Sequence, residues 1–151
     1  MHCEIDNLDR EILRRLQADA RRPFLEIARE LDVAGGTIHA RVNRLKAEGV
    51  IRGTRIDLDH ARLGYAVSAF IGVKLVKARD CREVQSRLQA IPEVVEVHYT
   101  TGAYSLFVKV GVRSMAELHA LLFDHLQAIE EIQSTETFVI LDSTVDRELP
   151  V

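Results

Sequence analysis

Residues 24–53 contain two short amphipathic segments separated by a turn, and this pattern constrains the fold more than any other part of the chain. The spacing of the apolar residues predicts one helix over residues 24–31 and another over residues 36–47. The apolar stripe of the second helix consists of Ile38, Val42 and Leu45. Two short helices joined by a tight turn are typical of a helix-turn-helix, whose second helix lies in the major groove of DNA.

The flanking residues extend this element on both sides. Before it, apolar residues recur at four-residue spacing after Asp6 or Asn7, either of which is suited to cap a helix. These apolar residues are Leu8, Ile12 and Leu16. After it, Gly49 fits the left-handed position beyond a helix end, and residues 50–56 alternate as a strand. Residues 1–56 are therefore predicted to form a winged helix-turn-helix domain.

The exposed side of the second helix has the chemistry of a DNA-recognition surface. Small or hydrogen-bonding groups near its start can reach base edges, and arginine can pair with phosphate or guanine. The candidate DNA-binding residues are Gly36, Thr37, His39, Ala40, Arg41, Asn43, Arg44 and Arg52. Residues 35–55 also contain five basic residues against one acidic residue, as expected where phosphate is contacted. The alternative is an ordinary solvated helix in a three-helix bundle.

Charge is distributed unevenly along the chain. Residues 1–55 contain eleven Lys and Arg against nine Asp and Glu, whereas residues 56–151 contain nine against fourteen. The formal net charge of −3 argues against a protein that coats nucleic acid without selectivity. A basic region is therefore confined to the predicted helix-turn-helix domain.

No metal site, disulfide or membrane segment is predicted. Cys3 and Cys81 have neither metal-binding nor disulfide spacing, and His119 and His125 are six residues apart, which places them on different faces of a helix. No apolar run approaches the roughly 20 residues that span a bilayer. The sequence also shows no catalytic triad order or phosphate-binding loop. We therefore expect a cytoplasmic protein that is not an enzyme and has no cofactor.

Beyond residue 65 the hydrophobic pattern changes to alternating strands and helices. The predicted strands cover residues 66–75, 94–100, 104–112 and 132–141, and the predicted helices cover residues 80–91 and 115–129. This order is that of a ferredoxin-like βαββαβ sandwich, a four-stranded antiparallel sheet with two helices on one face. The predicted fold class is α+β, with a linker over residues 57–65 and a second domain over residues 66–151.

The first predicted strand is largely apolar on both sides. One side of it consists of Val67, Ala69, Ile71, Val73 and Leu75, and the other consists of Ser68, Phe70, Gly72 and Lys74. Helices on one face of a sheet leave the other face uncovered, and a large apolar surface of this kind marks an interaction site. The second side is therefore predicted to pack on another subunit.

Five segments together resemble the Lrp/AsnC (feast/famine) family of bacterial transcription regulators. They are IDNLDREIL at 5–13, GTIHARV at 36–42, LGY at 63–65 with FIGV at 70–73, HYTTGAYSLFVKV at 98–110, and EIQSTETFVIL at 131–141. The resemblance spans nearly the whole chain and is closest to the asparagine-responsive branch. It implies a DNA-binding helix-turn-helix domain and a domain that binds a free amino acid and assembles homodimers into octamers.

The resemblance also implies where the effector binds. The family turn between the second and third strands often reads Gly-x-Tyr-Asp, whereas this chain has serine at position 105, which favours a polar effector and asparagine above others. Residues 133–137 of a facing subunit are the expected partner segment, with main-chain N–H groups and Ser105 taking the carboxylate and Gln133 or Glu136 meeting the ammonium or amide. The candidate effector residues are Tyr99, Thr101, Gly102, Ala103, Tyr104, Ser105, Gln133, Ser134, Thr135 and Glu136.

A second departure from the family concerns the start of the recognition helix. Relatives often have a capping serine where this chain has Ala34, so Thr37 or the main chain must satisfy the helix start.

Two other functions remain open from the sequence. Some tetrapyrrole (siroheme-type) decarboxylases resemble the family in fold, although they need a haem-like ligand and a catalytic histidine. An amino-acid sensor that no longer binds DNA would act through protein partners, but the basic residues of the second helix argue against it. The predicted function is a sequence-specific DNA-binding regulator gated by a small amino acid, asparagine in the first place.

Overall fold

The computed structural model describes residues 4–151, which divide into two compact units. One unit runs to Asp57 and also includes Val145–Val151, and the other spans Leu58–Thr144. The predicted second domain included everything after residue 65, whereas residues 145–151 group with the N-terminal unit in the structure. Their main-chain oxygens accept hydrogen bonds from the first helix: Gln17 donates to Leu149 at 3.1 Å and Arg14 donates to Val151 at 2.7 Å.

The N-terminal unit is built from three helices, α1 (Asn7–Ala18), α2 (Phe24–Glu30) and α3 (Gly35–Ala47). The start of α1 is closed by a reciprocal capping box, in which the Asp9 N–H donates to Asp6 and the Asp6 N–H donates to Asp9. The buried core between the helices consists of Ile12, Ile27, Ala28, Ile38 and Val42. The helix-turn-helix predicted from hydrophobic spacing is therefore present, and Gly49 follows α3 with φ of 73°.

The predicted wing strand over residues 50–56 is wrong. Ile51 packs partly buried against the helical core, and its N–H donates to the carbonyl of Leu45 at 3.1 Å, while Ile56 is 82% exposed. A strand needs a hydrogen-bonded neighbour. Every strand among residues 4–151 belongs instead to the sheet of the other unit. Apolar alternation alone therefore did not identify a strand here.

The C-terminal unit contains the predicted α+β sandwich. Its elements are β1 (Val67–Leu75), α4 (Cys81–Gln89), β2 (Val94–Tyr99), β3 (Leu106–Val112), α5 (Met115–Ala120) and β4 (Ile132–Val139). The strands form one antiparallel sheet in the order β2-β3-β1-β4, which confirms the ferredoxin-like arrangement. The helix predicted over residues 115–129 continues from α5 as a π-helical turn over Leu121–Leu126.

The inner face of the sheet forms the core with the two helices. The buried residues from the strands are Ala69, Ile71, Val73, Leu75, Leu106, Val108, Val110 and Val112, and those from the helices include Val84, Leu88, Leu118 and Leu126. The opposite face has no helix packed against it within residues 4–151, so the alternation of β1 places Phe70, Gly72 and Lys74 on a surface that this chain alone leaves open.

Candidate DNA-binding helix and effector turn

The start of α3 has no side-chain cap. Ala34 occupies the N-cap position, and the nearest compensation is the main-chain bond from the Thr37 N–H to the Ala34 carbonyl at 2.9 Å. The sequence predicts that either Thr37 or the main chain satisfies the start of the helix. The structure shows a main-chain hydrogen bond in this role. Thr37 is half-buried, which leaves the small exposed surface of Gly36 at the first turn of the helix.

The outer side of α3 presents the predicted recognition residues to solvent. His39, Ala40 and Asn43 are all exposed. The His39 ring lies edge-on to Phe24 of α2, with 4.7 Å between the ring centroids, so its orientation is restricted by the preceding helix. This side of the helix offers one ring, one amide and one methyl group, which suits contact with base edges.

Arg41 and Arg44 are engaged with carboxylates of α1, which the sequence interpretation did not include. Arg41 Nη1 lies 2.5 Å from Asp6 Oδ2 and 3.0 Å from Asp9 Oδ1, and Arg44 Nη2 lies 2.5 Å from Asp9 Oδ2. The Asp9 side chain is fully buried, whereas 42% of the Arg44 side chain is exposed. The two arginines therefore connect α3 to α1 and are not simply free cations on its surface.

The protonation of this cluster follows from its hydrogen bonds. The Arg41 guanidinium, together with the main-chain N–H of Asp9, lowers the pKa of the Asp6 carboxyl from 3.8 to about 2. In return, Asp6 and then Asp9 raise the pKa of Arg41. Both partners of the Asp6–Arg41 ion pair are therefore charged at neutral pH.

The remaining basic residues of this region are more open. Lys46, Arg52 and Arg55 are exposed, and none of them forms an ion pair with the part of the chain that the structure describes. Exposed cations without partners are available to neutralise phosphate. Arg52 was among the predicted DNA-binding residues, while Lys46 and Arg55 entered the sequence interpretation only through the local charge.

The turn between β2 and β3 is tightly constrained. The Thr100 N–H donates to the Ser105 carbonyl at 3.1 Å, and the Thr100 hydroxyl donates to the Tyr104 carbonyl at 2.9 Å. Gly102 has φ of 106°, a conformation that L side chains rarely adopt. The exposed residues Thr101 and Ala103 flank it. These two hydrogen bonds close the base of the turn, and the conformation at its tip strongly favours glycine.

Tyr104 leaves this turn and lies on the open face of the sheet. A Cβ built on Gly72 of β1 would lie 2.7 Å from Tyr104 Cγ, so the ring rests directly on the glycine. The Tyr104 hydroxyl donates to Glu136 of β4, and Lys74 Nζ lies 5.7 Å from the ring centroid. Glu136 of the predicted partner segment thus contacts Tyr104 within one chain, and the approach of this segment from a facing subunit stays a prediction. Lys74 is an additional cation that the sequence interpretation did not assign to the site.

Three phenylalanines share the open face of the sheet with Tyr104, and two of them, Phe107 and Phe138, are its ring neighbours. Phe70 and Phe107 are stacked with 5.5 Å between ring centroids, and Phe107 and Phe138 with 6.2 Å. Phe138 is still 43% exposed. We call Phe70, Tyr104, Phe107 and Phe138 the aromatic patch. An exposed aromatic group of this size is typical of an interaction surface.

Not all predicted effector residues join Tyr104. Tyr99 pairs with Leu106, a residue of the inner face, and lines a depression of about 520 Å³ with Cys81 and Arg82 beside α4. Thr135 pairs with Val73 and therefore also lies on the inner side. Ser134 lies on the open side opposite Lys74, and Gln133 is the extra residue of a bulge in β4. The structure separates Tyr99 and Thr135 from the rest because of the two-residue period of strands.

Neither a metal site nor a membrane span is found in the part of the chain that the structure describes. Within residues 4–151, no group of three or more His, Cys, Asp or Glu side chains could hold a metal ion. In the same part of the chain, no helix has the length and apolar character needed to cross a bilayer.

Comparison with known proteins identifies the family. Residues 5–46 match the AsnC-type helix-turn-helix domain, and residues 68–150 match the Lrp/AsnC ligand binding domain. The chain belongs to the Lrp/AsnC family. The family expected from the sequence segments is thereby confirmed, and this Lrp/AsnC protein is a transcription regulator with a helix-turn-helix.

Its similarity to individual Lrp/AsnC members extends over nearly the whole length. It is 46% identical over 149 residues to Regulatory protein AsnC of Haemophilus influenzae, with 99% of both chains covered. The solved structure of E. coli AsnC is similar with a TM-score of 0.95 at 43% identity, covering 99% of this chain and 100% of that one.

A more distant relative was solved with a ligand. The feast or famine regulatory protein from M. tuberculosis, complexed with L-methionine, is similar with a TM-score of 0.89 at 26% identity, covering 97% of this chain and 99% of that one. These relatives are named as regulatory proteins, which favours regulation over the decarboxylase alternative.

Proposed function

We propose that this Lrp/AsnC regulator binds double-stranded DNA through the exposed side of α3 and that a free amino acid, asparagine first among the candidates, controls this binding. The main support for an effector site is the contact between Tyr104 and Glu136, because this contact brings the turn between β2 and β3 together with β4 within one chain. The L-methionine complex of the M. tuberculosis relative supports the amino-acid class, and the similarity to Regulatory protein AsnC supports asparagine. The proposal places the protein in the cytoplasm and includes no cofactor, membrane contact or catalytic step.

The charges around Tyr104 suit a zwitterionic ligand. Lys74 and Glu136 carry opposite charges on neighbouring strands and both approach the Tyr104 ring or its hydroxyl. An amino acid needs donors for its carboxylate and an acceptor for its ammonium group. Lys74 is a suitable donor and Glu136 a suitable acceptor.

The turn adds main-chain donors to this pair of charges. The N–H groups of Gly102 and Ala103 have no hydrogen-bond acceptor among residues 4–151, so they can also take a carboxylate. The Ser105 N–H is already donated to the Val73 carbonyl at 2.8 Å. Of the Ser105 groups, the hydroxyl therefore remains to select a polar side chain such as the amide of asparagine.

Assembly links the effector to DNA in this proposal. The aromatic patch would pack on a second copy to form a homodimer, and homodimers would associate into octamers. An effector that binds one arrangement of subunits better than another shifts the population toward it. The spacing of the α3 helices, and hence their fit to the half-sites of an operator, would change with that population.

Ligand binding by the intact protein tests the effector assignment. In a thermal-shift screen of the twenty amino acids, asparagine should raise the melting temperature, since a ligand selective for the native state stabilises it. Glu136→Gln should remove the shift, whereas Glu130→Gln, which alters an exposed residue outside the strands, should retain it. A screen without any stabilising amino acid would overturn the effector assignment. Binding that changed neither assembly nor DNA affinity would overturn the control mechanism.

A further inference from the structure

Asp9 differs in burial from the other charged side chains of residues 4–151. Within that range it is the one polar or charged residue that is buried, with none of it exposed. Its carboxylate accepts hydrogen bonds from the Asp6 N–H at 3.2 Å, from Arg41 at 3.0 Å and from Arg44 at 2.5 Å. A buried carboxylate is costly unless it is paired, and an apolar residue at such a position is often at least as stabilising. The capping box of α1 accounts for only the first of these contacts, so the contacts with Arg41 and Arg44 indicate a further role.

The geometry of the two arginines suggests that role. Arg41 and Arg44 are three residues apart on α3, so they lie on the same flank of the helix, beside its exposed side. A guanidinium has five N–H donors in a fixed planar arrangement. The Arg44 side chain donates one hydrogen bond to Asp9 and remains 42% exposed, so its other donors can reach a second anion.

We propose that Asp9 is a positioning residue for DNA binding, whose buried carboxylate holds Arg41 and Arg44 so that their remaining N–H groups meet phosphate. This inference rests on the proposed binding of DNA by α3. An arginine already held in one geometry loses less conformational entropy when it binds. Asp6 assists at Arg41 only, because it contacts no other arginine among residues 4–151.

Substitution of Asp9 distinguishes a positioning role from a simple electrostatic effect, because the two predict opposite changes in DNA affinity. Asp9→Asn removes a negative charge beside the DNA surface, and on electrostatic grounds alone this change should strengthen binding. The positioning role predicts weaker binding, because the two guanidinium groups lose their charged anchor. Glu26→Gln is the matched control, since Glu26 is an exposed residue of α2 and its change removes the same charge.

The experiment uses the full chain and a fluorescent duplex selected from a random-sequence pool with the wild-type protein. Fluorescence anisotropy is measured over a series of salt concentrations, and thermal unfolding is recorded for every variant. Asp9→Asn should raise Kd about tenfold at moderate salt, and its salt dependence should be shallower because one or two fewer phosphates are neutralised. Glu26→Gln should bind as tightly as the wild type or more tightly. Wild-type or tighter binding by Asp9→Asn would overturn the inference.

A second variant covers the case in which Asp9→Asn does not fold. Arg44→Lys keeps the positive charge but lacks the planar set of donors that can serve Asp9 and phosphate together. It should also weaken binding, and an unchanged Kd for a folded Arg44→Lys would overturn the inference. A wild-type chain that selects no duplex would instead overturn DNA binding itself, and the inference with it, before any variant is compared.

Discussion

At the scale of single residues, the position of Tyr104 after the turn between β2 and β3 depends on the lack of a side chain at Gly72. Gly72 allows the Tyr104 ring to lie on β1, and in that position the Tyr104 hydroxyl reaches Glu136 on the next strand. The sequence indicated Gly72 only as one residue of an alternating strand. Nothing in a strand pattern shows that a ring from a distant turn will lie on a particular glycine, since that contact depends on the register of three strands.

Gly72→Ala should destabilise the C-terminal unit by about 1–3 kcal/mol, because the new Cβ cannot fit beneath Tyr104. Urea unfolding of the full chain measures the change. Gly111→Ala on β3 is the control: its Cβ would make only an ordinary contact, 3.8 Å from Val95, so the change should stay within about 0.5 kcal/mol. In the double variant with Gly72→Ala and Tyr104→Ala, the loss of stability should be smaller than the sum of the two single losses. A strictly additive loss would contradict the contact between Gly72 and Tyr104.

Asp6 should make the stability of the N-terminal unit dependent on pH in the acid range. Its pKa is about 2 in the folded chain against an ordinary value of 3.8, so the charged carboxylate stabilises the fold above about pH 4. This contribution is lost as the pH falls through about 2. Asp6→Asn retains a good N-cap but not the charge. Thermal unfolding should show the wild type more stable at pH 7, with the difference shrinking between pH 4 and 2; a constant difference would contradict the ion pair.

At the scale of elements, the spacing of hydrophobic residues predicted the helices and strands that pack against their neighbours in the sequence. The three N-terminal helices follow from apolar stripes such as Ile38, Val42 and Leu45, which need only neighbouring helices to bury them. The wing strand failed because a strand depends on a partner that the local sequence does not contain. The anchoring of Arg41 and Arg44 was missed for a related reason, since their acceptors are more than thirty residues away on α1.

The region after α3 offers a test of the missing wing. Ile51→Ala should cost about 1–2 kcal/mol, less than a fully buried isoleucine, because Ile51 is half-buried on the helical core. Ile56→Ala should change the free energy of unfolding by less than about 0.5 kcal/mol, since Ile56 is 82% exposed. Chemical denaturation measures both. An equal cost at the two positions would contradict the difference in burial between Ile51 and Ile56.

At the scale of the whole molecule, the aromatic patch is the surface on which assembly should depend. Phe138→Ser should shift the protein toward the monomer in sedimentation experiments, because it removes the most exposed ring of the aromatic patch, on the edge strand β4. Phe123→Ser is the control, since Phe123 is also exposed, at 62%, but follows α5 on the other side of the sheet. The same oligomeric state for both variants and the wild type would contradict the assignment of the patch.

The docking of Val145–Val151 on α1 has a consequence for how this protein can be divided. The chain leaves the N-terminal unit after Asp57 and returns to it at Val145, so the ferredoxin-like unit is topologically an insertion. Gln17 and Arg14 hold the returning segment through its main-chain oxygens, largely without regard to its side chains. An exchange of effector modules between relatives therefore has two junctions to match, and a fragment cut at the first junction would lack the stretch of chain that completes its DNA-binding half.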